Sequence, residues 1–396
     1  MPPLLLSATT LTTCLGRGLE ATRDALRSGR SGLTPCRFES VELPTWVGEV
    51  TGVDAQVLPE PLRHYDCRNN RLTQMGLETD GFAQRVREAV AHHGRDRVGV
   101  FLGTSTAGIF QTELAYRARD PANGALPDSF NYRSTHNAFS LTEFTRDYFG
   151  LTGMAMTLST ACSSSAKVFA AAARQIALGH IDAAIVGGVD SLCLTTLYGF
   201  ASLQLTSSQP CRPYDTARDG ISIGEAAAFA LLERADTPAP ASVLLLGVGE
   251  SSDAYHMSAP HPQGLGAQLA MAAALRSAGL AEADIDYINL HGTATPANDA
   301  AEGQAVAALF GERVPCNSTK GATGHTLGAS GAVEALVCAL ALQESLLPGS
   351  PGTQVLDPAM AIRYQHQSAP AQLRTALSNS FGFGGSNCSL ILGVSP

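Results

Sequence analysis

A cysteine at position 162 lies between a short apolar run and a helix-compatible run. Residues 154–158 are mostly apolar, and residues 166–178 favour a helix that ends at Gly179. A strand-like run over 181–188 follows, which gives the order strand, tight turn, helix, strand. This order places Cys162 at a helix N-terminus, where unpaired N–H groups and the positive end of the helix dipole favour the thiolate. Because the thiolate is the nucleophile, Cys162 is a candidate for covalent catalysis, with a small buried thiol as the alternative.

Two histidines follow strand-like segments later in the chain. His291 lies in the sequence NLHGTATPAND, and His325 lies in the glycine-rich sequence NSTKGATGHTLGASG. A histidine at the end of a strand can face a cleft outside the sheet. Lys320 shares the second sequence, although the phosphate-binding pattern GxxxxGK[ST] is absent there. The alternative for His291 is a capped turn that starts a helix over 299–309.

A third segment, SNSFGFGGSN over residues 378–387, sets two aromatic residues among glycines. Such a loop can swing and can present free backbone N–H groups to a ligand. The alternative is a β-turn between strands over 375–380 and 388–392. A cysteine, two histidines and such N–H donors together form a recognisable catalytic set of nucleophile, proton or charge handlers, and oxyanion donors.

Alternating strands and helices must hold these residues in place. Both halves of the chain put a reactive side chain at a strand-to-helix turn, which indicates a degenerate duplication of about 200 residues. We therefore predict an α/β fold with an N-terminal half over 1–235 and a C-terminal half over 242–396, joined by a charged, Pro-rich linker. The remaining predicted elements are strands over 97–103, 243–249, 285–290 and 314–318 and helices over 264–279 and 331–344.

Composition narrows the class of protein. The chain has 396 residues, of which 45% are hydrophobic and 15% charged, as in a compact globule. Its net charge of −9 argues against general nucleic-acid binding. Nine cysteines without a CxxC spacing match neither a zinc site nor a disulfide framework, and we expect a reducing, cytoplasmic compartment. No apolar run reaches about 18 residues, so no membrane span is expected, and the N-terminus is interpreted as a strand rather than a signal peptide.

Four motifs occur in a fixed order along the chain: TACSSS, HGTATPxxD, KxxxGHxxGASG and NSFGFGGSN. Together they resemble the β-ketoacyl-acyl-carrier-protein synthases, the elongating condensing enzymes of thiolase fold, and the likeness runs from about Leu4 to Gly393. It implies a thiolase-like fold of two pseudo-duplicated halves in a layered α-β-α-β-α arrangement. It also implies decarboxylative Claisen condensation of an acyl chain held on Cys162 with malonyl carrier protein. No metal and no cofactor is expected, because the substrates are carried on the phosphopantetheine of acyl carrier protein.

The resemblance implies a role for each matching residue. Cys162 would take the acyl chain, and His291 and His325 would hydrogen-bond the malonyl thioester carbonyl as it becomes an enolate. The N–H groups of Cys162 and Phe383 would form the oxyanion hole, with Phe383 also acting as a gate. The further implied roles are Lys320 behind the histidines, held by Glu302; Glu334 and Phe381 as supporting residues; Thr293 and Thr295 as pantetheine contacts; Thr106 in the acyl pocket; and Arg63, Arg68, Arg71 and Arg212 as carrier-docking residues.

Several alternatives remain open at this level. A thiolase acting on CoA esters would use a second cysteine as base, for which Cys388 is available, although the GHxxGASG element fits the synthases better. A chain-length-factor-like subunit resembles a synthase but lacks the reactive cysteine; a reactive chain can still depend on such a partner. The small polar Thr106 and the altered docking residues favour a specialised pathway, such as that of an aryl polyene, over bulk fatty acid synthesis. We expect a homodimer across residues 154–160, with a heterodimer as the alternative.

Overall fold

The computed structural model describes residues 1–236 and 238–395. Thr237 of the predicted linker and Pro396, the last residue of the predicted C-terminal half, lie outside the described residues. The strands of the described part are β1 (Leu4–Thr13), β2 (Gly16–Arg17), β3 (Thr34–Pro35), β4 (Trp46–Gly48), β5 (Val98–Gly103), β6 (Ala155–Leu158), β7 (Ala183–Asp190), β8 (Ile223–Gly224), β9 (Ala226–Arg234), β10 (Val243–Ser252), β11 (Tyr287–Asn289), β12 (Pro315–Asn317), β13 (Leu346–Leu347), β14 (Arg363–Tyr364), β15 (Ala369–Pro370), β16 (Thr375–Gly382) and β17 (Ser386–Val394).

Helices alternate with these strands along the chain. They are α1 (Gly18–Ser28), α2 (Arg68–Leu77), α3 (Phe82–His93), α4 (Ile109–Arg117), α5 (Phe139–Phe149), α6 (Ser164–Ala177), α7 (Leu194–Ser202), α8 (Leu265–Ala278), α9 (Pro296–Phe310), α10 (Lys320–Thr323) and α11 (Ser330–Gln343). Within residues 1–236 and 238–395, no helix is both long and apolar enough to cross a membrane.

One large sheet connects the two halves of the chain. Five strands in the order β1-β9-β7-β5-β6 come from the N-terminal half, and five in the order β10-β17-β16-β11-β12 come from the C-terminal half. The short strands β2 and β14 extend this sheet beside β1 and β12. In each half two antiparallel pairings are followed by two parallel ones. Strands β1 and β10 pair antiparallel and join the halves. The fold is thus α/β, and each half repeats the same five-strand pattern.

Two buried helices bring the reactive turns together. Both α6 and α11 are rich in alanine and apolar on most faces, which suits helices enclosed by protein. They belong to one apolar core with strands of both halves. A Cβ on Gly331 would lie 2.5 Å from the backbone nitrogen of Ala166, so the first turns of the two helices touch only because this residue is glycine. The turns that precede these helices carry Cys162 and His325, and they are therefore neighbours.

The strands and helices predicted around the reactive residues are confirmed, with boundaries shifted by a few residues. The segment over 378–387 differs from a loop that can swing. Its first residues extend β16 to Gly382, and β17 begins at Ser386, so a tight hairpin turn joins two paired strands. The β-turn alternative describes this segment correctly.

Candidate active site

A strained turn carries Cys162 between β6 and α6. Ala161 has a left-handed φ of 52°, a conformation that costs an alanine about 1–2 kcal/mol. The Ser164 N–H bonds the Ala161 carbonyl at 3.1 Å, which closes the turn. The predicted order of strand, tight turn and helix is confirmed, but α6 begins at Ser164, two residues beyond the cysteine.

Three reactive side chains converge on one cavity. The Cys162 Sγ lies 3.1 Å from the His325 Nε2. The rings of His291 and His325 stand nearly perpendicular, with centroids 5.3 Å apart. All three residues are buried, and all three line a cavity of about 240 Å³. The structure therefore unites residues that lie up to 163 positions apart in the sequence.

Hydrogen bonds fix which nitrogen of each imidazole carries its proton. The N–H of Leu327 donates to the His325 Nδ1 at 3.3 Å, and the Lys320 Nζ lies 3.4 Å from the His291 Nδ1. A backbone N–H and an ammonium can only donate, so both Nδ1 atoms accept. These partners assign the proton of each neutral ring to Nε2. Both rings thus offer an N–H donor to the cavity.

Both histidines are neutral at physiological pH. Burial lowers the pKa of His291 well below its usual range, and the charge of Lys320 and the neighbouring His325 lower it further. Burial and the charge of Lys320 likewise lower the pKa of His325. Neutral imidazoles can stabilise a developing negative charge by hydrogen bonding without being titrated themselves.

Burial also decides the resting state of the nucleophile. It raises the pKa of the Cys162 thiol to about 12, and the carboxylates of Asp190 and Glu334 act in the same direction. The positive charge of Lys320 and the backbone N–H of Phe383 oppose this shift in the pKa but do not cancel it. The helix N-terminus, which is expected to favour the thiolate, is therefore outweighed by the loss of solvent, and Cys162 rests as a thiol.

Lys320 is held by Glu334 and not by Glu302. The Lys320 Nζ forms a salt bridge with the Glu334 carboxylate in α11, and both side chains are almost fully buried. Glu302 in α9 instead accepts the N–H groups of His291 at 2.7 Å and Gly292 at 2.8 Å. The assignment of Glu302 to Lys320 is therefore wrong, since α11 rather than α9 faces the lysine. Glu302 fixes the backbone of the His291 turn.

The hairpin turn after β16 lies directly over the nucleophile. The backbone N–H of Phe383 forms a hydrogen bond with the Cys162 sulfur, and Phe383, which lines the cavity, is 38% exposed. A Cβ on Gly382 would lie 2.7 Å from the Thr160 carbonyl oxygen and 3.3 Å from the Cys162 backbone nitrogen. The absence of a side chain at Gly382 therefore lets this turn pack directly against the backbone of residues 160–162.

We expect Gly382→Ala to slow the acylation of Cys162 by about tenfold or more, because misplacing a reacting group by about 1 Å can cost 10²-fold. The rate is measured by intact-protein mass spectrometry with an acyl donor. Gly199→Ala in α7 is the matched control, since a methyl group there meets open space. Equal rates for Gly382→Ala and wild type would contradict a close approach of this turn.

Three further predicted residues lie at this cavity. Thr293 and Thr295 line it, with their Oγ1 atoms 2.9 Å apart. Phe381 lines it as well and packs against the His291 ring at a centroid distance of 5.9 Å. Thr106 is not among the residues that line the described cavity. Its hydroxyl instead donates to Asp190 at 2.7 Å.

The four predicted docking arginines differ in exposure. Arg68 is 4% exposed, and its guanidinium bonds Glu225 at 2.6 Å inside the protein. The prediction that Arg68 docks a carrier is therefore wrong; the residue is structural. Arg63 has a side chain that is 63% exposed. Arg71 is partly buried and pairs with Asp66 at 2.6 Å, and Arg212 is half-buried.

Two supporting residues are missing from the sequence-based site. Ser330 contacts the His325 Nδ1 at 2.9 Å, and it is visible in retrospect within the GHxxGASG motif. Asp190 accepts the N–H groups of Ser105 and Thr106, each at 2.8 Å, and that of Ala329 at 3.2 Å. It thus ties a turn next to the nucleophile to the turn after His325. A lone aspartate at a strand end gives no sign of this role.

Comparison with known proteins places this geometry in a family. The model "Beta-ketoacyl synthase, N-terminal domain" matches residues 6–237, and "Beta-ketoacyl synthase, C-terminal domain" matches residues 243–354. The 3-oxoacyl-[acyl-carrier-protein] synthase 2 of Coxiella burnetii (strain RSA 493 / Nine Mile phase I) is 31% identical over 408 residues, covering 96% of this chain and 95% of the relative. The protein of the same name from Rhizobium meliloti (strain 1021) is 42% identical over 251 residues, 59% of each chain.

Solved structures show the same fold. A ketosynthase (ApeO) from Xenorhabdus doucetiae, in complex with its chain length factor (ApeC), superimposes with a TM-score of 0.90 at 39% sequence identity. The match covers 100% of this chain and 98% of that one.

Proposed function

This chain belongs to the β-ketoacyl synthase family and is a condensing enzyme of the 3-oxoacyl-acyl-carrier-protein synthase type, and we propose that Cys162 carries the acyl group while His291 and His325 stabilise the enolate. The observation that supports this division is the convergence of the Cys162 Sγ and the His325 Nε2, 3.1 Å apart, in a cavity that His291 also lines. Cys388 is buried in β17 and is not among the residues that line the described cavity. It therefore does not serve as the second, basic cysteine of a thiolase.

The first half-reaction acylates Cys162. The sulfur forms a bond to the acyl carbonyl carbon, and the bond from that carbon to the carrier's pantetheine sulfur breaks. The proton leaves the thiol during the attack, because its pKa of about 12 keeps it in place at rest, and it passes to the departing sulfur. The N–H groups of Cys162 and Phe383 stabilise the oxyanion that forms in between.

The second half-reaction begins with malonyl carrier protein. The bond between the malonyl methylene carbon and the carboxylate carbon breaks, and CO₂ leaves. The electron pair of that bond forms the enolate, so that negative charge develops on the thioester carbonyl oxygen. The Nε2–H donors of His291 and His325 stabilise this enolate. The enolate carbon then attacks the acyl carbonyl on Cys162, and the bond from that carbonyl carbon to the cysteine sulfur breaks. The sulfur leaves as a thiolate and takes one proton from water, which restores the resting thiol, and 3-ketoacyl carrier protein is released.

Contacts at the mouth define how a carrier's arm would reach the site. The hydroxyls of Thr293 and Thr295 can bind a pantetheine amide, and exposed Arg63 can attract an acidic carrier helix. Phe383 contacts Phe200 at the mouth, with ring centroids 5.8 Å apart, so its displacement would open the approach to Cys162. We assign the protein to the cytoplasm, a placement supported by nine cysteines that are all free.

Intact-protein mass spectrometry with a panel of acyl carrier proteins tests this function. We expect the wild type to gain one acyl group and to lose it when malonyl carrier protein is added, with a 3-ketoacyl carrier product formed. Cys162→Ala should gain nothing, whereas Cys388→Ala is the matched cysteine control and should behave as wild type. An acyl group retained by Cys162→Ala, or activity on CoA esters without a carrier, would contradict the proposal.

Strand β6 is the proposed subunit interface. It is the last strand of the large sheet, and its side chains are only partly buried. An unpaired edge of this kind is a template for a second chain. The ketosynthase of Xenorhabdus doucetiae is in complex with a chain length factor. That complex supports a heterodimer with a synthase-like partner, in a polyketide-type pathway such as that of an aryl polyene, beside the homodimer that the family resemblance implies.

Met154→Glu is expected to weaken this interface, because it adds a charge next to the β6 edge at a residue that is 38% exposed. Light scattering at micromolar concentration measures the mass of the chain alone and with a candidate partner. Met257→Glu is the control, because Met257 is 77% exposed and far from β6 in the sequence. A wild-type chain that stays monomeric under both conditions would disprove the interface.

A further inference from the structure

Cys162, His291 and His325 hold the donor atoms of a metal site. The cysteine sulfur and one ring nitrogen from each histidine all lie within 4.8 Å of one another, and the three residues are buried. Thiolate and imidazole are the donors that Zn²⁺ favours, and catalytic zinc sites use three protein ligands with a fourth position left open. The cavity beside these atoms leaves room for a fourth ligand such as water.

The spacing of the donor atoms is close to what a tetrahedral ion requires. Zinc bonds of about 2.0–2.3 Å at tetrahedral angles place two ligand atoms about 3.3–3.6 Å apart. The Cys162 Sγ and the His325 Nε2 are 3.1 Å apart. The donor pairs that include His291 lie within 4.8 Å, so a side-chain movement of at most about 1.5 Å brings all three atoms into contact with one ion.

Proton positions around the two histidines differ in a way that matters for a metal. An imidazole that binds metal through Nε2 must carry its proton on Nδ1 and donate it to an acceptor. His325 has such an acceptor, because the Ser330 Oγ lies 2.9 Å from its Nδ1 and a hydroxyl can accept as well as donate. The 3.3 Å bond from the Leu327 N–H to this nitrogen would break when the proton moves there. His291 does not have one among the described residues: its Nδ1 faces the Lys320 Nζ at 3.4 Å, and an ammonium has no lone pair.

Lys320 also opposes a cation electrostatically. Its positive charge reaches Cys162 and both histidines. Its salt bridge with Glu334 and its bond to the His291 carbonyl hold the ammonium in place, so it cannot turn away when an ion enters. One side chain thus blocks both the proton shift at His291 and the approach of a second positive charge.

We propose that Cys162, His291 and His325 form a latent site for a soft divalent cation such as Zn²⁺, and that Lys320 keeps this site closed. Entry of Zn²⁺ would release one proton, from the thiol, and the proton of each imidazole would move from Nε2 to Nδ1. The inference rests on the placement of four side chains and not on the reaction that the protein catalyses. In a cell that contains zinc, the exclusion of Zn²⁺ by Lys320 leaves the Cys162 thiol available for acylation.

Lys320→Gln is the informative substitution. The glutamine amide can donate to Glu334 and accept the Nδ1–H of His291, and it carries no charge. We expect it to bind one Zn²⁺ about 10–100-fold more tightly than wild type, the range typical of changes to groups that orient metal ligands. Competition with a chromophoric chelator measures the affinity. Co²⁺ in place of Zn²⁺ should give a thiolate-to-metal charge-transfer band in the variant.

Two controls separate the site from adventitious binding and from unfolding. Lys320→Gln/Cys162→Ala should lose both the added affinity and the charge-transfer band. Lys320→Met/Glu334→Gln removes both buried charges together, so it avoids leaving an unpaired carboxylate, and it should also gain affinity. Thermal melts check that each variant is folded. The proposal would be overturned if the folded Lys320→Gln and Lys320→Met/Glu334→Gln proteins bound Zn²⁺ no more tightly than wild type. This holds whether all three proteins bind tightly or none of them binds.

Discussion

Replacing His291 by alanine is expected to slow condensation with malonyl carrier protein by about 10²–10³, because loss of one oxyanion donor typically costs that much in rate. Acylation of Cys162 should stay within about tenfold of wild type, since in the proposed mechanism the N–H groups of Cys162 and Phe383 stabilise its oxyanion instead. The two half-reactions are followed separately by mass spectrometry of the enzyme and of the carrier product.

His325→Ala should differ from His291→Ala in one respect. The His325 Nε2 contacts the Cys162 sulfur at 3.1 Å, so its removal should impair acylation as well as condensation. His180→Ala, at an exposed histidine, is the matched control and should leave both steps unchanged. If His291→Ala lost acylation and condensation to the same extent, the division of labour between the imidazoles and the backbone N–H groups would be wrong.

The reactive residues could be predicted from the sequence because local patterns place them. Cys162 and His325 each lie in a turn between a strand and a helix. Each turn is rich in small residues, which allow the backbone and a substrate to approach closely. The repeat of one five-strand order in the two halves then makes these turns equivalent. A close approach at Gly331 brings them together. Motif order therefore carries enough information to place the nucleophile and the histidines in one site.

Partners across the fold could not be predicted in the same way. Glu302 and Glu334 are both helical carboxylates, and only the packing of α9 and α11 decides which one faces Lys320. Arg68 looks like a surface cation in the sequence, yet α2 turns it inward onto Glu225. Which side chains pair in this way depends on tertiary packing, which cannot be predicted from charge or helical periodicity.

Burial of Cys162 leads to an expected pH dependence of its reactivity. With a pKa of about 12, the sulfur is a thiolate in about one molecule in 10⁴ at pH 8. Alkylation of Cys162 in the free enzyme should therefore be about 10³-fold slower at pH 8 than that of a model thiol with a pKa near 8.5. The rate should rise about tenfold per pH unit from pH 7 to pH 10 without a plateau. Peptide mapping after iodoacetamide treatment, with time points at each pH, measures the rate at this cysteine alone.

The two physical effects on this cysteine predict opposite curves. If the helix N-terminus and Lys320 governed the thiol, the alkylation rate would level off near neutral pH; if loss of solvent governs it, the rate keeps rising. Cys162→Ala supplies the blank, and the half-buried Cys36 supplies an internal thiol for comparison. A plateau below pH 9 would show that loss of solvent does not govern the pKa of Cys162. A continued rise means that the enzyme keeps its nucleophile protonated until a carrier-bound thioester arrives, so that the proton leaves only when a carbon–sulfur bond is being made.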